Sequence, residues 1–229
     1  MWKGRLPTMN NLLPPKRLWL LRHGETSWNE KGICLGRTDL SLSNLGANHV
    51  KSLKNSGLID IFDADAVFSS PASRARETGD IIFNNSHYNR MFVNEGLQEI
   101  DFGTWDGLNW GDIFRKERYG WSQWLGNSLT SNPYNGETLL ESQRRIVDFY
   151  NYIIAEKELR TILFIGHAGI FNLLLCKLLH RQPGVIWTYK TAPASISEIL
   201  ISPSGIVLSK FNHLPDGNPI VDIDFNPAK

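Results

Sequence analysis

"LWLLRHGETSWNE", residues 18–30, carries an apolar run straight into a cation, an imidazole and a glycine. The run is too short for a helix and shows no polar alternation, so it predicts a strand buried on both faces. Two more runs have the same form, 66–68 in "AVFSSPASRARET" and 162–165 in "ILFIGHAG". Each is followed by a Gly- or Ser-containing turn and then a segment with helical signals. Ser43 is placed to cap a helix carrying Leu45, Val50 and Leu53 and ending near Gly57. A second helix is predicted from Ser73 to Phe83, and the longest starts near Thr138 with Leu139, Ile146, Tyr150 and Ile153 on one stripe. Runs 196–201 and 206–211, separated by "SPSG", read as a closing hairpin. Alternating strands and helices give the expected fold class: α/β, three layers, with a doubly wound, mostly parallel sheet.

The bulk composition is compatible with one large domain. The chain has 229 residues, 41% of them hydrophobic and 21% charged, with a formal net charge of +1 and a pI near 7.8. This balance provides no broad basic field for nucleic acid or for an anionic membrane surface, so neither is expected as a partner. Cys34 and Cys176 lack CxxC spacing, and Cys176 in "FNLLLCKLL" reads as a packed core residue. Two unpaired thiols, no apolar core of signal-peptide length near the start and no run of eighteen apolar residues point to a cytoplasmic location. Residues 1–16 and 212–229, rich in Pro and Asn, are expected to be peripheral extensions around a domain spanning 17–211. Residues 100–135, with Trp105, Trp110, Trp121 and Trp124 among Gly, Asn and Ser, show no strand period and read as an excursion from the core.

Ligands of doubly wound sheets bind beyond the carboxyl ends of the strands. There the three runs deliver Arg22 and His23, Arg74 a few residues after its strand, and His167. Singly these are weak signals, since a lone Arg is usually a solvated charge and a lone His beside an apolar run is usually structural. Together, two guanidinium groups and two imidazoles in one pocket call for an anion. A phosphoryl group suits them, because Arg forks bind its oxygens in pairs and the helix start in "GHAGI" offers further N–H groups. A neutral imidazole aimed at phosphorus could form a phosphohistidine and split one displacement into two.

"RHGET-x-W-N", "SSPxxRAxxT" and "GHAG", in this order and spacing over roughly residues 17–201, resemble the histidine phosphatase superfamily, also called phosphoglycerate mutase-like. The resemblance implies that fold, no cofactor and no metal, and a small-molecule phosphate ester as substrate. It makes His23 the phosphorylated nucleophile and places Arg22, Arg74 and His167 on the phosphoryl group. Asn29 and Glu25 would lie in the same loop as substrate contacts, joined by Leu35, Gly36 and Ala168. Of two candidates for the proton donor, Glu99 in "LQEIDFGTWDG" matches the superfamily's acid segment, whereas Glu117 in "KERYG" lies too late and reads as a helix end. Asp101 is a possible substitute, otherwise a turn residue.

Two positions depart from the family pattern. Gly79 stands where Ala is usual in the helix after "RAxxT", at a cost of about 1 kcal/mol in an exposed helix interior. "NPYNGETLLES" has Asn135 in place of the first Gly of a "P-x-GGES" segment. The mutases of the superfamily carry a segment with paired basic residues, for which Arg115, Lys116 and Arg118 are the candidates here, but Trp and Phe dominate this excursion. Hydrolysis of an ester with a largely uncharged leaving group, as in the α-ribazole phosphatase branch, is therefore the favoured reading. Mutase-type phosphoryl transfer and a non-catalytic phosphoryl-binding regulator are the alternatives. Metal-dependent hydrolysis has no HExxH or close His/Asp cluster behind it. The sequence leaves the oligomeric state open.

Overall fold

The structure, a computed structural model, describes residues 14–58, 64–84, 91–126, 131–133 and 135–215. Its centre is a sheet of six strands among the described residues, in the order β3-β2-β4-β1-β5-β6. The strands are β1 (Lys16–Arg22), β2 (Ala66–Ser69), β3 (Met91–Val93), β4 (Thr161–Gly166), β5 (Ile196–Ser202) and β6 (Gly205–His213). β1 pairs with β4, β4 with β2, and β2 with β3, all in parallel, whereas β5 runs antiparallel to both β1 and β6. Parallel strands of this kind must bury both faces, and the residues divide accordingly. Leu18 and Leu20 of β1, with Ile162 and Phe164 of β4, enter one core, while Trp19, Leu21, Leu163 and Ile165 enter the other.

The second core is covered by α2 (Asn44–Asn55) and α3 (Ser73–Phe83) through Val50, Leu53, Ala75 and Ile82. The first is covered by α6 (Leu139–Ala155) and α7 (Ala168–Leu178). Between β3 and α6 lie α4 (Trp110–Lys116) and α5 (Arg118–Gly126), and the short α1 (Ser27–Glu30) follows β1. The three-layer α/β/α architecture expected from the sequence is thus present, with the mixed hairpin edge. Ser43 caps α2 by accepting from Gly46 N–H at 3.0 Å, and Thr138 opens α6 in a reciprocal capping box with Glu141. Cys34 and Cys176 are both buried and unpaired. No helix among the described residues is long and apolar enough to cross a membrane.

Several expectations need adjustment. β3 was not visible in the sequence, because its three residues sit at the sheet edge with Phe92 55% and Val93 51% exposed and so show no burial pattern. The domain reaches beyond 17–211 at both ends. Lys16 opens β1 and donates to the carbonyls of Glu156 and Leu159, while β6 extends through Asn212, which is fully buried and accepts from Ala192 N–H at 2.7 Å. Residues 1–13 and 216–229, the bulk of the expected extensions, lie outside the described residues. Gly79 is buried rather than exposed: a Cβ there would fall 2.5 Å from Met91 Sδ, so the thioether occupies the space a side chain would take.

Glycine also governs how closely α2 approaches the loop after β1. A Cβ on Gly46 would lie 2.1 Å from Glu25 O and 2.5 Å from Glu25 N, both backbone atoms that cannot swing aside. Gly46→Ala is therefore expected to cost about 1–3 kcal/mol, as overpacked cores do. Chemical denaturation of the variant should show the loss, and an unchanged midpoint would mean that helix and loop do not meet in this way.

Candidate active site

The carboxyl ends of β1 and β4 place Arg22, His23 and His167 side by side. His23 N–H donates to Gly166 O at 2.9 Å, and the two imidazole rings lie 5.1 Å apart, edge to face. The loop after His23 is fixed from α3: Gly24 N–H donates to Thr78 Oγ1 at 3.0 Å, and the Thr78 hydroxyl donates to Arg74 O at 2.8 Å. The Thr of "RAxxT" thereby ties the loop carrying His23 to the helix turn carrying Arg74.

Each imidazole has a defined tautomer. His23 Nδ1 lies 2.6 Å from Gly24 O and must carry the proton there, leaving the Nε2 lone pair free. His167 Nδ1 accepts from Arg74 Nε at 3.3 Å, so its proton lies on Nε2, 2.8 Å from Ser70 Oγ. Burial, with the neighbouring Arg74 and Arg22, holds the pKa of His23 well below the usual imidazole value. Burial and Arg74 do the same to His167, reinforced by His23 and Arg22.

Arg74 is 1% exposed, and its fork is held by Thr38 O at 2.9 Å and Gly36 O at 2.8 Å. That loop is itself pinned by Asp106, whose carboxylate accepts from Gly36 N–H at 2.9 Å, Thr38 N–H at 2.8 Å and Thr38 Oγ1 at 3.0 Å. Arg22 donates from Nη1 to Thr191 O, while its buried Nε has no hydrogen-bond partner among the described residues. Burial lowers the Arg22 pKa to about 10, with Glu99 opposing and Arg74 adding to the shift. The guanidinium stays charged at neutral pH.

Glu99 is 7% exposed and sits at the start of α7. Oε1 accepts from Ile100 N–H and Ile170 N–H at 2.9 Å each, and Oε2 accepts from Gly169 N–H at 3.0 Å. The sequence reading reserved the "GHAGI" helix start for the anion, but here Glu99 already occupies two of its N–H groups. Gly169 is required for this contact, because a Cβ would fall 2.7 Å from Glu99 Oε1.

Arg22, His23, Asn29, Leu35, Glu99 and Ala168 line one cavity of about 390 Å³. Its remaining wall is largely aromatic, formed by Phe102, Trp110, Phe114, Trp121 and Trp187 with Tyr189. Arg74 and His167 face a second cavity of about 210 Å³ with Ser70 and Gly36, and Glu99 lines both. Trp110, Trp121 and Trp187 lie 5.6–6.0 Å apart between ring centroids, so the excursion forms a wall over the strand ends. Trp187, from the turn Pro183–Thr188, had no signal in the sequence that linked it to this wall.

Other residues singled out in the sequence serve elsewhere. Glu25 lines neither cavity, and its carbonyl accepts from Ser43 N–H at 2.8 Å, bracing the start of α2. Gly36 has its N–H on Asp106 and its carbonyl on Arg74, so neither is left for a substrate. Asn29 meets the first cavity, although its Oδ1 is committed to the Thr26 capping box. Glu117 is the residue between α4 and α5, outside both cavities, and Asp101 is a turn residue accepting from Gly103 N–H at 2.9 Å. Asn135 adopts φ +69°, a left-handed conformation that Asn tolerates, which explains how it replaces a glycine. Among the described residues no group of three or more His, Cys, Asp or Glu could hold a metal ion.

The family model for the histidine phosphatase superfamily (branch 1) matches residues 18–214. The chain belongs to this superfamily. It is 27% identical over 196 residues to an adenosylcobalamin/alpha-ribazole phosphatase of Salmonella typhimurium, covering 86% of this chain and 96% of that one. It is equally 27% identical over 209 residues to a 2,3-bisphosphoglycerate-dependent phosphoglycerate mutase of Cytophaga hutchinsonii, covering 89% and 91%. Among solved structures it is similar to the alpha-ribazole phosphatase from Shigella flexneri, at 26% identity and a TM-score of 0.74 over 86% of this chain and 96% of that one. This histidine phosphatase thus matches, over most of its length, relatives named for two different reactions.

Because both imidazole pKa values are depressed, the rings should stay neutral as pH falls through 6.5, where an unfolded His takes up a proton. The unfolded chain then binds more protons than the folded one, so this part of the stability is complete above pH 6.5 and is lost below it. Nitrogen-15 spectra of the ligand-free protein should show both rings neutral at pH 6, with the His23 proton on Nδ1. A ring titrating near pH 6.5 would contradict the described environment.

Proposed function

We propose that this protein is a phosphomonoesterase that works through a phosphohistidine on His23 and takes a substrate with a flat, largely uncharged leaving group. The observation that carries this reading is the cavity in which the His23 imidazole, Arg22 and Glu99 share one space with the Trp110, Trp121 and Trp187 rings. His23 Nε2, its lone pair kept free by the Nδ1 bond to Gly24, attacks phosphorus. The P–O ester bond breaks, and the leaving oxygen takes a proton from Glu99. Glu99 Oε2, with one N–H partner against two on Oε1, is the oxygen with room for that proton. Arg22 and Arg74 hold the phosphoryl oxygens, where charge accumulates, and His167 joins them by exchanging Ser70 Oγ for a phosphoryl oxygen at its Nε2–H. Water then attacks the phosphohistidine, gives its proton to Glu99, and the N–P bond breaks to release phosphate.

The basic residues considered for a mutase point elsewhere. Arg115 and Lys116 are 73% and 74% exposed, both paired with Asp112, and line neither cavity. The cavity wall they would have to serve is mostly aromatic, with Lys190 as the cation lining it besides Arg22. The relatives named α-ribazole phosphatases support a heterocyclic leaving group, which Trp and Phe faces accommodate by stacking. α-Ribazole 5′-phosphate is accordingly the first substrate to test.

A panel of α-ribazole 5′-phosphate, phosphoserine, p-nitrophenyl phosphate and 3-phosphoglycerate with its bisphosphate primer tests the reading. Hydrolysis of the heterocyclic ester should have the highest kcat/KM and survive EDTA, and rapid quench should trap an acid-labile phosphoryl group on His23. Full activity in His23→Ala, or mutase turnover exceeding hydrolysis, would overturn the proposal. Trp121→Ala should raise KM for the heterocyclic ester well above its effect on phosphoserine. Glu99→Gln should lose about 10²–10⁴-fold on alkyl esters, the typical contribution of proton transfer, and less on p-nitrophenyl phosphate, whose leaving oxygen hardly needs a proton.

A further inference from the structure

Outside the cavities, one charged pair bonds to the backbone of five residues of the acid segment. Arg145 on α6 donates from Nη1 to Gln98 O at 2.8 Å, Glu95 O at 3.2 Å and Gly96 O at 3.3 Å, and from Nη2 to Glu99 O at 3.3 Å. Its Nε and Nη2 also hold the Glu137 carboxylate, at 3.2 and 2.9 Å. That carboxylate further accepts from Asp101 N–H at 3.0 Å, Ser142 Oγ at 2.8 Å and Arg37 Nη2 at 3.1 Å. Residues 95–101 are therefore wound around one guanidinium, with their last N–H on its counter-ion. Arg37 connects the same carboxylate to the loop whose carbonyls grip Arg74. The pair is only about one-fifth exposed. Burial disfavours the charged carboxylate, yet the bonds from Arg145, Asp101 and Ser142 outweigh it and hold Glu137 below its ordinary pKa.

A fold could hold this segment with less. Four carbonyls on one Arg fix the backbone of residues 95–99, and the Glu99 carboxylate accepts from Gly169 and Ile170 N–H at the start of α7 and from the adjoining Ile100 N–H. Glu99 is thus held at its root by Arg145 and at its tip by α7. We propose that Glu137 and Arg145 are positioning residues for the reaction, acting through Glu99 by fixing where its carboxyl group stands relative to the leaving oxygen. The proposal rests on Glu99 being the proton donor.

The test is a double-mutant cycle between Glu137→Gln and Glu99→Gln, read as kcat on an alkyl ester and on p-nitrophenyl phosphate, with thermal midpoints measured alongside. A displaced catalytic group commonly costs up to about 100-fold, so Glu137→Gln should lose about 10–100-fold in kcat on the alkyl ester. It should lose several-fold less on the nitrophenyl ester and show little change in KM. In the Glu99→Gln background the same substitution should cost almost nothing, because the group it positions is already disabled. A purely structural role predicts equal losses on both esters and additive losses in the double variant, and that outcome would overturn the proposal. If Glu99→Gln alone shows no leaving-group dependence, the acid assignment fails and the positioning role falls with it. Arg145→Lys keeps the charge but loses the fork across the carbonyls, and it should give the same leaving-group dependence even if Glu137→Gln does not fold.

Discussion

Two guanidinium groups and two imidazoles are buried against one another at the carboxyl edge of the sheet, and most of the surrounding structure exists to make that arrangement possible. Like charges in a medium of low polarity repel strongly, and no buried cation is tolerated without partners. The protein answers in three ways. Both imidazoles remain neutral, so the cluster carries two charges rather than four. Arg74 and Arg22 are anchored to backbone carbonyls of Gly36, Thr38 and Thr191, which supply partial negative charge without a second ion. Glu99 contributes the one nearby carboxylate that acts on both guanidinium groups. On the proposed function, a phosphoryl dianion entering here would meet donors already fixed in place and offset the repulsion between the two guanidinium groups.

The same constraint explains the carboxylates that brace the surroundings of Arg74. Asp106 fixes the loop from which Arg74 takes its carbonyls, and Asp39 accepts from Ser73 N–H and Oγ at 2.7 Å each, capping α3 at the turn that carries Arg74. Ala72, the residue preceding α3, has no side chain to do this. Charge placed one shell away organises charge at the centre. The aromatic excursion depends on the loop between α1 and α2 as well. Cys34 N–H to Leu108 O at 2.8 Å, Gly107 N–H to Cys34 O at 2.9 Å and Trp110 N–H to Gly32 O at 2.9 Å form a short ladder that holds the Trp-rich wall over Arg22 and His23.

Much of this was legible in the sequence because the physics was local. A short all-apolar run means a strand covered on both sides, and Ser43 and Thr138 mark helix starts through bonds made within three residues. Arg22, His23, Arg74 and His167 were singled out because strand ends converge in this class of fold, and Glu99 because its segment resembles the superfamily's acid segment. What stayed hidden depends on pairs distant in the chain. Nothing local reveals that Glu137 would take Asp101 N–H, or that Trp187 would stand beside Trp121. Glu25 and Gly36 were named as substrate contacts through the resemblance, but Glu25 lines neither cavity and the Gly36 N–H and carbonyl are engaged by Asp106 and Arg74. β3 escaped notice because a three-residue edge strand with exposed side chains has no pattern to read.

The aromatic wall also bears on how an intermediate would be hydrolysed. In an in-line reaction on His23 the departing oxygen and the attacking water occupy the same position, opposite Nε2, so one carboxyl group can serve both steps. Glu99 is suited to that economy because it faces the cavity while being held by three N–H groups and does not need to move between steps. Water, however, gains little from Trp and Phe faces, and the cavity offers it few polar contacts beyond Arg22, Asn29, Lys190 and the Asn172–Thr191 corner. On the proposed function, a flat leaving group filling the aromatic part would keep water from phosphorus. Once it departed, the polar groups that line the same cavity as Glu99 would be the ones able to hold water. The order of events then follows from the distribution of polar and apolar groups in a single space, without a moving part.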